Sequence, residues 1–240
     1  MTIRADLHIH SCLSPCGDLT MSPRVIVDRA IRAGLNLVAL TDHNTARNVP
    51  AFAAACREHR LAAMYGCEVT SSEEVHALAL FAEEEAAVDF GDEIYRSLPP
   101  AHFDPARFGD QVVVDRHEVI VETLDAYLIG ATPFPLAEVG RRVRKRGGLF
   151  VPAHADRAAF SVWSQLGFLP ADDYDAIELT GTGRIDPADT PVVACSDAHD
   201  PDAIGRRHTE FESDRPSFRA LCEALARRAV RPVFAPNLPE

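Results

Sequence analysis

The sequence predicts a single-domain α/β fold in which strands and helices alternate around a parallel sheet or barrel. Its 240 residues suffice for one substantial core, and strand–helix barrels commonly reach this size as one domain. Short apolar runs alternate with capped amphipathic segments through most of the chain. Side chains that bind metals follow several of these runs, which indicates that the strand ends converge on one site.

The first half of the chain supplies four strands and three helices. The first strand leads into Asp6-Leu7-His8-Ile9-His10, and a Ser22-Pro23 start with a Gly34 stop predicts the first helix. The elements predicted next are a strand over 35–41, a helix over 50–60, a strand over 61–67, a strand over 74–81 and a helix over 83–97.

Residues 82–122 are predicted to be an insertion in this alternation. The stretch 98–110 holds three prolines and a glycine, and runs 111–115 and 118–121 predict a hairpin around Arg116-His117. The elements predicted after it are helices over 135–146, 158–166 and 215–228, and strands over 149–153, 175–180, 191–196 and 207–212. The tail 231–240 contains three prolines, and we expect it to be loose.

Charge and cysteine usage narrow the function classes. The formal net charge of −12 disfavours attraction to extended nucleic acid and to anionic membranes. The six cysteines form no CxxC pair, which disfavours structural zinc and a disulfide framework. No signal-type segment and no apolar stretch of about 18 residues is present, so we expect a cytoplasmic protein.

Histidines and carboxylates stand where the predicted strands end. They are His8, His10, Asp42, His43, Glu68, His154, Asp197 and His199. Residues two apart on a strand share a face, so the first two could reach one ion together. A single histidine after a strand is more often structural than a ligand, but the whole set predicts a metal centre. These ligands suit zinc, manganese or iron, and they are too many for one tetrahedral ion.

The sequence resembles the PHP family, named for polymerase and histidinol phosphatase. The resemblance rests on the motifs DLHIHS at 6–11, TDHN at 41–44, GCE at 66–68, PAHAD at 152–156 and SDAH at 196–199. It covers nearly the whole chain in order. It implies a distorted seven-stranded β/α barrel with two or three divalent metal ions that hydrolyses phosphoesters.

The resemblance also implies which residues hold each ion. The first ion would take His8, His10, Glu68 and Asp197, and Glu68 would bridge to a second held by His76 and His154. A third would take His43, His199 and a residue soon after the HxH pair, where this chain offers Cys16 or Asp18. His76 lies within a predicted strand, so it could instead be a buried structural histidine.

Other residues are expected to assist the ions. Two close cations would acidify a water and stabilise charge on an attacked phosphate. Arg157 could clamp a terminal phosphate or could be a surface arginine. His199 could protonate the leaving group if it holds no third ion. Asp6 and Asp42 are expected to orient ligand histidines.

These observations predict a metal-dependent phosphoesterase acting on a small phosphorylated substrate such as a nucleotide or sugar phosphate. One alternative is an exonuclease that acts on nucleic-acid ends. Another is a non-catalytic metal-binding module that recognises a partner.

Overall fold

The computed structural model of the chain describes residues 1–101 and 103–234. The strands are β1 Thr2–Asp6, β2 Leu37–Leu40, β3 Ala62–Thr70, β4 His76–Phe81, β5 Val112–Val114, β6 Ile120–Thr123, β7 Leu149–Pro152, β8 Ile177–Glu178, β9 Val192–Val193, β10 His208–Glu212 and β11 Val230–Val233. The helices are α1 Pro23–Arg32, α2 Val49–His59, α3 Glu84–Ser97, α4 Pro105–Phe108, α5 Leu136–Lys145, α6 Val162–Leu166 and α7 Phe218–Ala226.

Seven strands form one curled sheet in the order β11-β10-β1-β2-β3-β4-β7. The prediction of an α/β fold is therefore confirmed, but that of an all-parallel sheet is wrong. Only β1, β2 and β3 pair in parallel, and the other neighbours in the sheet are antiparallel. Five residues, 71–75, join β3 to β4, and so short a connection cannot make the crossover that parallel strands require.

The short parallel pair β8–β9 bridges the open side of the curl. At one side the Asp175 backbone N–H donates to the Phe150 carbonyl of β7 at 3.1 Å. At the other side the His10 N–H donates to the Ala198 carbonyl at 3.0 Å. Both strands are much shorter than the predicted runs 175–180 and 191–196, and the rest of each run is loop at the site.

Two apolar clusters cover the two faces of the sheet. In β2, Val38 and Leu40 belong to the cluster that packs under the surrounding helices, which includes Phe52 of α2. Leu37 and Ala39 face the other cluster, which α7 completes with apolar side chains such as Leu221. All four residues of this strand are buried, as expected for a strand covered on both faces.

The capping signals at α1 are confirmed. Ser22 accepts a hydrogen bond from the Val25 N–H at 3.4 Å, and Pro23 occupies the first helical position. Gly34 follows the helix with a φ of +72°, a conformation that favours glycine.

Two predictions about the periphery have different outcomes. Strands β5 and β6 pair antiparallel in a sheet of their own, close to the predicted hairpin. The interpretation of residues 82–122 as an insertion stays a prediction. The prediction that the tail is loose is wrong for residues 231–233, because they belong to β11, which pairs with β10. Residue 102 of the insertion and residues 235–240 of the tail lie outside the described residues. No helix in the described part of the chain is both long and apolar enough to cross a membrane.

Candidate metal centre

The predicted ligands gather at one end of the curled sheet. They lie in the segments after β1, β2, β7 and β9 and in the second half of β3, and those of the first two proposed sites are almost completely buried. His76 joins them because β4 runs antiparallel to β3, which places its first residue opposite Thr70 at the same end. The carboxyl ends of parallel strands and the start of an antiparallel one therefore meet here.

His8, His10 and Asp197 form the first ligand group, with donor atoms within 4.8 Å of one another. The Nε2 atoms of His8 and His10 each lie 3.3 Å from Asp197 Oδ1. Glu68 borders the same group, since its Oε1 is 3.3 Å from His8 Nε2 and its Oε2 is 3.4 Å from His10 Nε2. The structure thus brings together all four residues of the first predicted site.

Hydrogen bonds on the far side of the two rings fix their tautomers. His8 Nδ1 donates to Glu178 Oε2 at 2.9 Å. Ser14 Oγ donates its one proton to Asp42 at 2.7 Å and therefore accepts from His10 Nδ1 at 2.9 Å. Both Nε2 atoms then present lone pairs only 3.0 Å apart. Two lone pairs at this distance repel each other unless a cation lies between them, so the pair fits a metal ion.

Glu68, His76, His43 and His154 form a second group. Glu68 Oε1 lies 3.0 Å from His76 Nδ1 and from His154 Nε2, and its Oε2 lies 3.0 Å from His43 Nδ1. Several of these buried atoms lack a hydrogen-bond partner among the described residues: both ring nitrogens of His76, His43 Nδ1, His154 Nδ1 and Glu68 Oε2. Buried polar atoms normally have hydrogen-bond partners, so these unsatisfied atoms fit a second metal ion, which Glu68 would help to hold.

His10, His43 and His199 form a third group within 4.8 Å. Cys16 is exposed and lines the same cavity as His43 and His199. The Asp18 carboxylate instead accepts the Thr20 N–H at 2.8 Å in its own turn. The Asp18 backbone N–H donates to the His199 carbonyl at 2.8 Å, so of the two candidate side chains it is that of Cys16 that lines the cavity.

The electrostatics of the cluster suit metal binding. Burial raises the pKa of Glu68, but nearby histidines outweigh it and hold that pKa well below its usual range. Burial lowers the pKa of His43 to about 3 and that of His199 to about 4, so both rings are neutral near pH 7. Burial also lowers the pKa of His8, yet the surrounding carboxylates prevail and hold it well above its usual range. Ionised carboxylates that attract positive charge are the form that binds divalent ions.

Three residues at the same end of the sheet have strained backbone conformations. Asn44, His154 and Asp197 have φ values of +50°, +29° and +52°, in a region that residues other than glycine seldom adopt. The Asn44 side chain donates to the carbonyls of Leu128 and Gly130 and so fixes the loop over the site. Such strain persists where surrounding contacts over-determine a functional geometry.

A cavity of about 170 Å³ opens onto the cluster. Its lining consists of Cys16, His43, Glu68, His76, Ile129, His154, Arg157, Phe160, Asp197 and His199. Arg157 Nη1 donates to Asp197 Oδ2 at 2.5 Å, so the guanidinium lies beside a predicted ligand. The cavity can admit a phosphate group, but it is smaller than the roughly 300 Å³ or more of a typical small-molecule site.

Glu178 is a site residue that the sequence reasoning missed. It is buried, and one oxygen accepts from both His8 Nδ1 and the His154 N–H, at 2.9 and 3.0 Å. A carboxylate at the end of the predicted strand 175–180 was the available signal. The expectation for Asp6 is wrong, because its carboxylate accepts from the backbone N–H groups of Ser196 and Gly205 and holds a loop instead of a histidine ring. Asp42 acts on His10 only through Ser14.

Comparison with known families identifies the chain. The PHP domain profile matches residues 6–164, and a PHP-associated profile matches residues 186–230. The chain belongs to the PHP family. This confirms the resemblance.

Two curated relatives match parts of this PHP protein. A 5'-3' exoribonuclease of Haemophilus influenzae is 28% identical over 127 residues, which are 45% of this chain and 45% of that protein. An error-prone DNA polymerase of Nocardia farcinica is 38% identical over 66 residues, 28% of this chain and 6% of that protein. The match therefore covers less than half the length of either relative.

Solved structures share the fold over nearly the whole chain. The lesion-specific endonuclease EndoQ of Pyrococcus furiosus aligns with a TM-score of 0.67 and 20% identity, over 94% of this chain and 56% of that one. Endonuclease Q in complex with a 27-mer duplex aligns equally well. A protein assigned as a metal-dependent phosphoesterase from Bifidobacterium adolescentis aligns with a TM-score of 0.57 and 19% identity, over 95% and 96% of the two chains.

These similarities correct one prediction. The net charge predicts that extended nucleic acid is an unlikely partner, yet the similar proteins include an exoribonuclease and an endonuclease bound to a 27-mer duplex. Net charge averages over the whole surface and does not describe the charge at one site. An acidic composition therefore does not exclude a nucleic-acid substrate.

Proposed function

We propose that this PHP protein is a metal-dependent phosphodiesterase that removes nucleotides from a nucleic-acid end. The observation that carries the proposal is the cluster of buried donors around Glu68, in which neighbouring nitrogens and oxygens lie 3.0–3.4 Å apart without enough hydrogen-bond partners. The exoribonuclease relative and the EndoQ fold favour nucleic acid over a free metabolite.

Three sets of residues are proposed to hold the ions, and Glu68 belongs to two of them. One is held by His8, His10, Glu68 and Asp197, one by Glu68, His76 and His154, and a third by His43, His199 and Cys16. The donor set of imidazole and carboxylate suits manganese, iron or zinc. When bound, such ions supply Lewis acidity that polarises a phosphoryl oxygen and makes water a better nucleophile at neutral pH.

The protein's own residues orient the ligands and the phosphate. Glu178 and Ser14 hold protons on the far nitrogens of His8 and His10, so that the near nitrogens can bind. His199 Nδ1 donates to the Asp197 carbonyl at 2.9 Å, which leaves its Nε2 lone pair to bind an ion and disfavours a role as proton donor. Arg157, at the cavity wall, is placed to bind a non-bridging oxygen of the substrate phosphate.

The cavity volume bears on where the substrate lies. About 170 Å³ holds a phosphate and its immediate neighbours, so the remaining nucleotides of a strand lie outside at the mouth. A small phosphoester is the second candidate. It is favoured by the Bifidobacterium phosphoesterase, whose whole length this chain matches.

Labelled oligonucleotides separate the two candidates. RNA and DNA strands of about 20 nucleotides, labelled at either end, are incubated with manganese-loaded protein beside a panel of nucleotides and sugar phosphates. The proposal expects stepwise shortening from one end, lost in the Glu68→Gln variant. Intact strands together with hydrolysis of a small phosphoester would refute the nuclease and favour the second candidate.

A further inference from the structure

The short segment from His154 to α6 forms one wall of the cavity and carries two aromatic side chains. Phe160 lines the cavity beside Ile129, and Trp163 lies in the first turn of α6. Trp163 is 37% exposed, and it is the one tryptophan in the chain. Phe160 and Ile129 are the apolar residues of a lining that otherwise consists of histidines, carboxylates, Cys16 and Arg157.

Phe160 has a strained backbone and packs against a ligand histidine. Its φ is +53°, a strained value for a bulky side chain. Its carbonyl accepts the backbone N–H of His76 at 3.0 Å, and its ring stacks on the His76 ring with centroids 4.9 Å apart and planes 12° apart. One face of the ring thus covers a proposed metal ligand, while the residue stays partly exposed in the cavity wall.

Trp163 is tied to the same segment. The backbone N–H of Trp163 donates to the carbonyl of Ala155 at 3.1 Å, and Ala155 directly follows His154. Ser161 begins the helix with a capping box and donates its hydroxyl to the Arg157 carbonyl at 2.7 Å. The backbone that carries Phe160 and Trp163 is therefore fixed relative to the ligand histidine.

Two arginines lie close to Phe160 and Trp163. Arg157 precedes Phe160 and has a side chain that is 38% exposed, at the cavity wall. The Arg184 guanidinium lies 5.1 Å from the centre of the Trp163 ring, on the loop that follows β8 at the same end of the sheet. Exposed aromatic rings beside arginines are how proteins bind single-stranded nucleic acid, because bases stack on the rings and phosphates contact the cations.

We propose that Phe160 and Trp163 form a stacking platform for the bases of a single strand whose scissile phosphate occupies the cavity. The inference rests on the proposed nuclease function and names its substrate as single-stranded nucleic acid. It accounts for a cavity that holds a phosphate but no whole nucleotide, because the bases lie on the adjoining platform.

Fluorescence of Trp163 tests the platform directly. Metal-loaded full-length protein is titrated with a phosphorothioate-linked oligothymidylate of 12 nucleotides, which resists hydrolysis, and with an abasic oligomer of the same length and linkage. We expect saturable quenching by the first and at least about fivefold weaker binding of the second, since base–aromatic stacking contributes at least that factor. Equal binding of the two oligomers would overturn the platform.

Substitutions at Phe160 separate stacking from folding. At equal metal content, Phe160→Leu and Phe160→Gly should weaken oligothymidylate binding at least about fivefold and leave abasic binding unchanged, and Phe160→Tyr should restore oligothymidylate binding. Metal content is measured for each variant because the Phe160 ring covers His76. Glycine accepts the strained backbone conformation without cost, so that variant keeps the loop. Phe168→Leu, at a 62% exposed aromatic residue beyond the far end of α6, is the matched control and should change nothing. Equal losses in the Phe160→Leu and Phe168→Leu variants would contradict the proposal.

The two proposals fail in different ways. Stacking-dependent binding of oligothymidylate without hydrolysis of any strand would refute the nuclease and leave the platform standing. Hydrolysis with an unchanged KM in Phe160→Leu would refute the platform and leave the nuclease standing.

Discussion

Removal of the Glu178 carboxylate should weaken metal binding although Glu178 is not itself a proposed ligand. One of its oxygens accepts from His8 Nδ1 and from the His154 N–H, at 2.9 and 3.0 Å, so it orients two ligand residues together. In Glu178→Ala both donors lose their buried acceptor, and the His8 proton can move to the nitrogen that should bind the ion. Loss of such a partner typically lowers metal affinity 10- to 100-fold, or about 1.4–2.7 kcal/mol.

Glu178→Gln is the matched control. Its amide oxygen can keep both hydrogen bonds, because the same carboxylate oxygen now accepts both, and only the negative charge is lost. We therefore expect a smaller decrease in affinity than in Glu178→Ala. Calorimetric titration of manganese into chelator-treated protein measures both variants. Affinities within twofold of the wild type in Glu178→Ala would refute the argument that the far-side hydrogen bonds set the ligand form of His8.

Three further predictions concern stability. Phe52→Ala should lower the free energy of unfolding by about 3–5 kcal/mol in urea titrations, because the ring is fully buried, whereas Phe168→Ala should change it by less than about 0.5 kcal/mol. Chelation of the metal ions should lower the Tm in calorimetry by about 5–10 °C for each ion that was bound at 100 times its Kd, and an unchanged Tm would mean that the fold holds no ion. Asp156→Asn should destabilise the loop after β8, because the carboxylate accepts from Thr180, Gly181 and Thr182. Burial raises the pKa of Asp156, but these hydrogen bonds outweigh it and hold the pKa below 3.8, so the stability gap should persist at pH 7 and shrink as the pH falls below 3.8.

Local signals were sufficient to predict six of the seven helices in the described residues, all but α4, and to single out most of the proposed ligands. Ser22, Pro23 and Gly34 mark the bounds of α1 through caps that act within one turn. The proposed ligands at strand ends were singled out because each follows a short apolar run. Glu178 obeys the same rule, yet it was missed because its partner His8 lies 170 residues away in the sequence.

Long-range pairing could not be predicted in the same way. The direction of β4 depends on the length of its connection to β3, and the alternation of elements alone suggested parallel strands. That direction also explains why His76 reaches the site from the start of a strand. Asp42 was expected to orient a ligand histidine, but that it acts on His10 through Ser14 could not be predicted, because this relay exists only in the folded chain.

Metal content and hydrolysis, measured on the same samples of wild-type protein and the Glu68→Ala variant, test the central claim most directly. Glu68 borders the first and second ligand groups, so its loss should affect both ions. Plasma mass spectrometry of wild-type protein should give at least two divalent ions per chain, and the variant should lose ions and hydrolysis of labelled oligonucleotides together. Undiminished hydrolysis by a Glu68→Ala variant without bound metal would contradict the account.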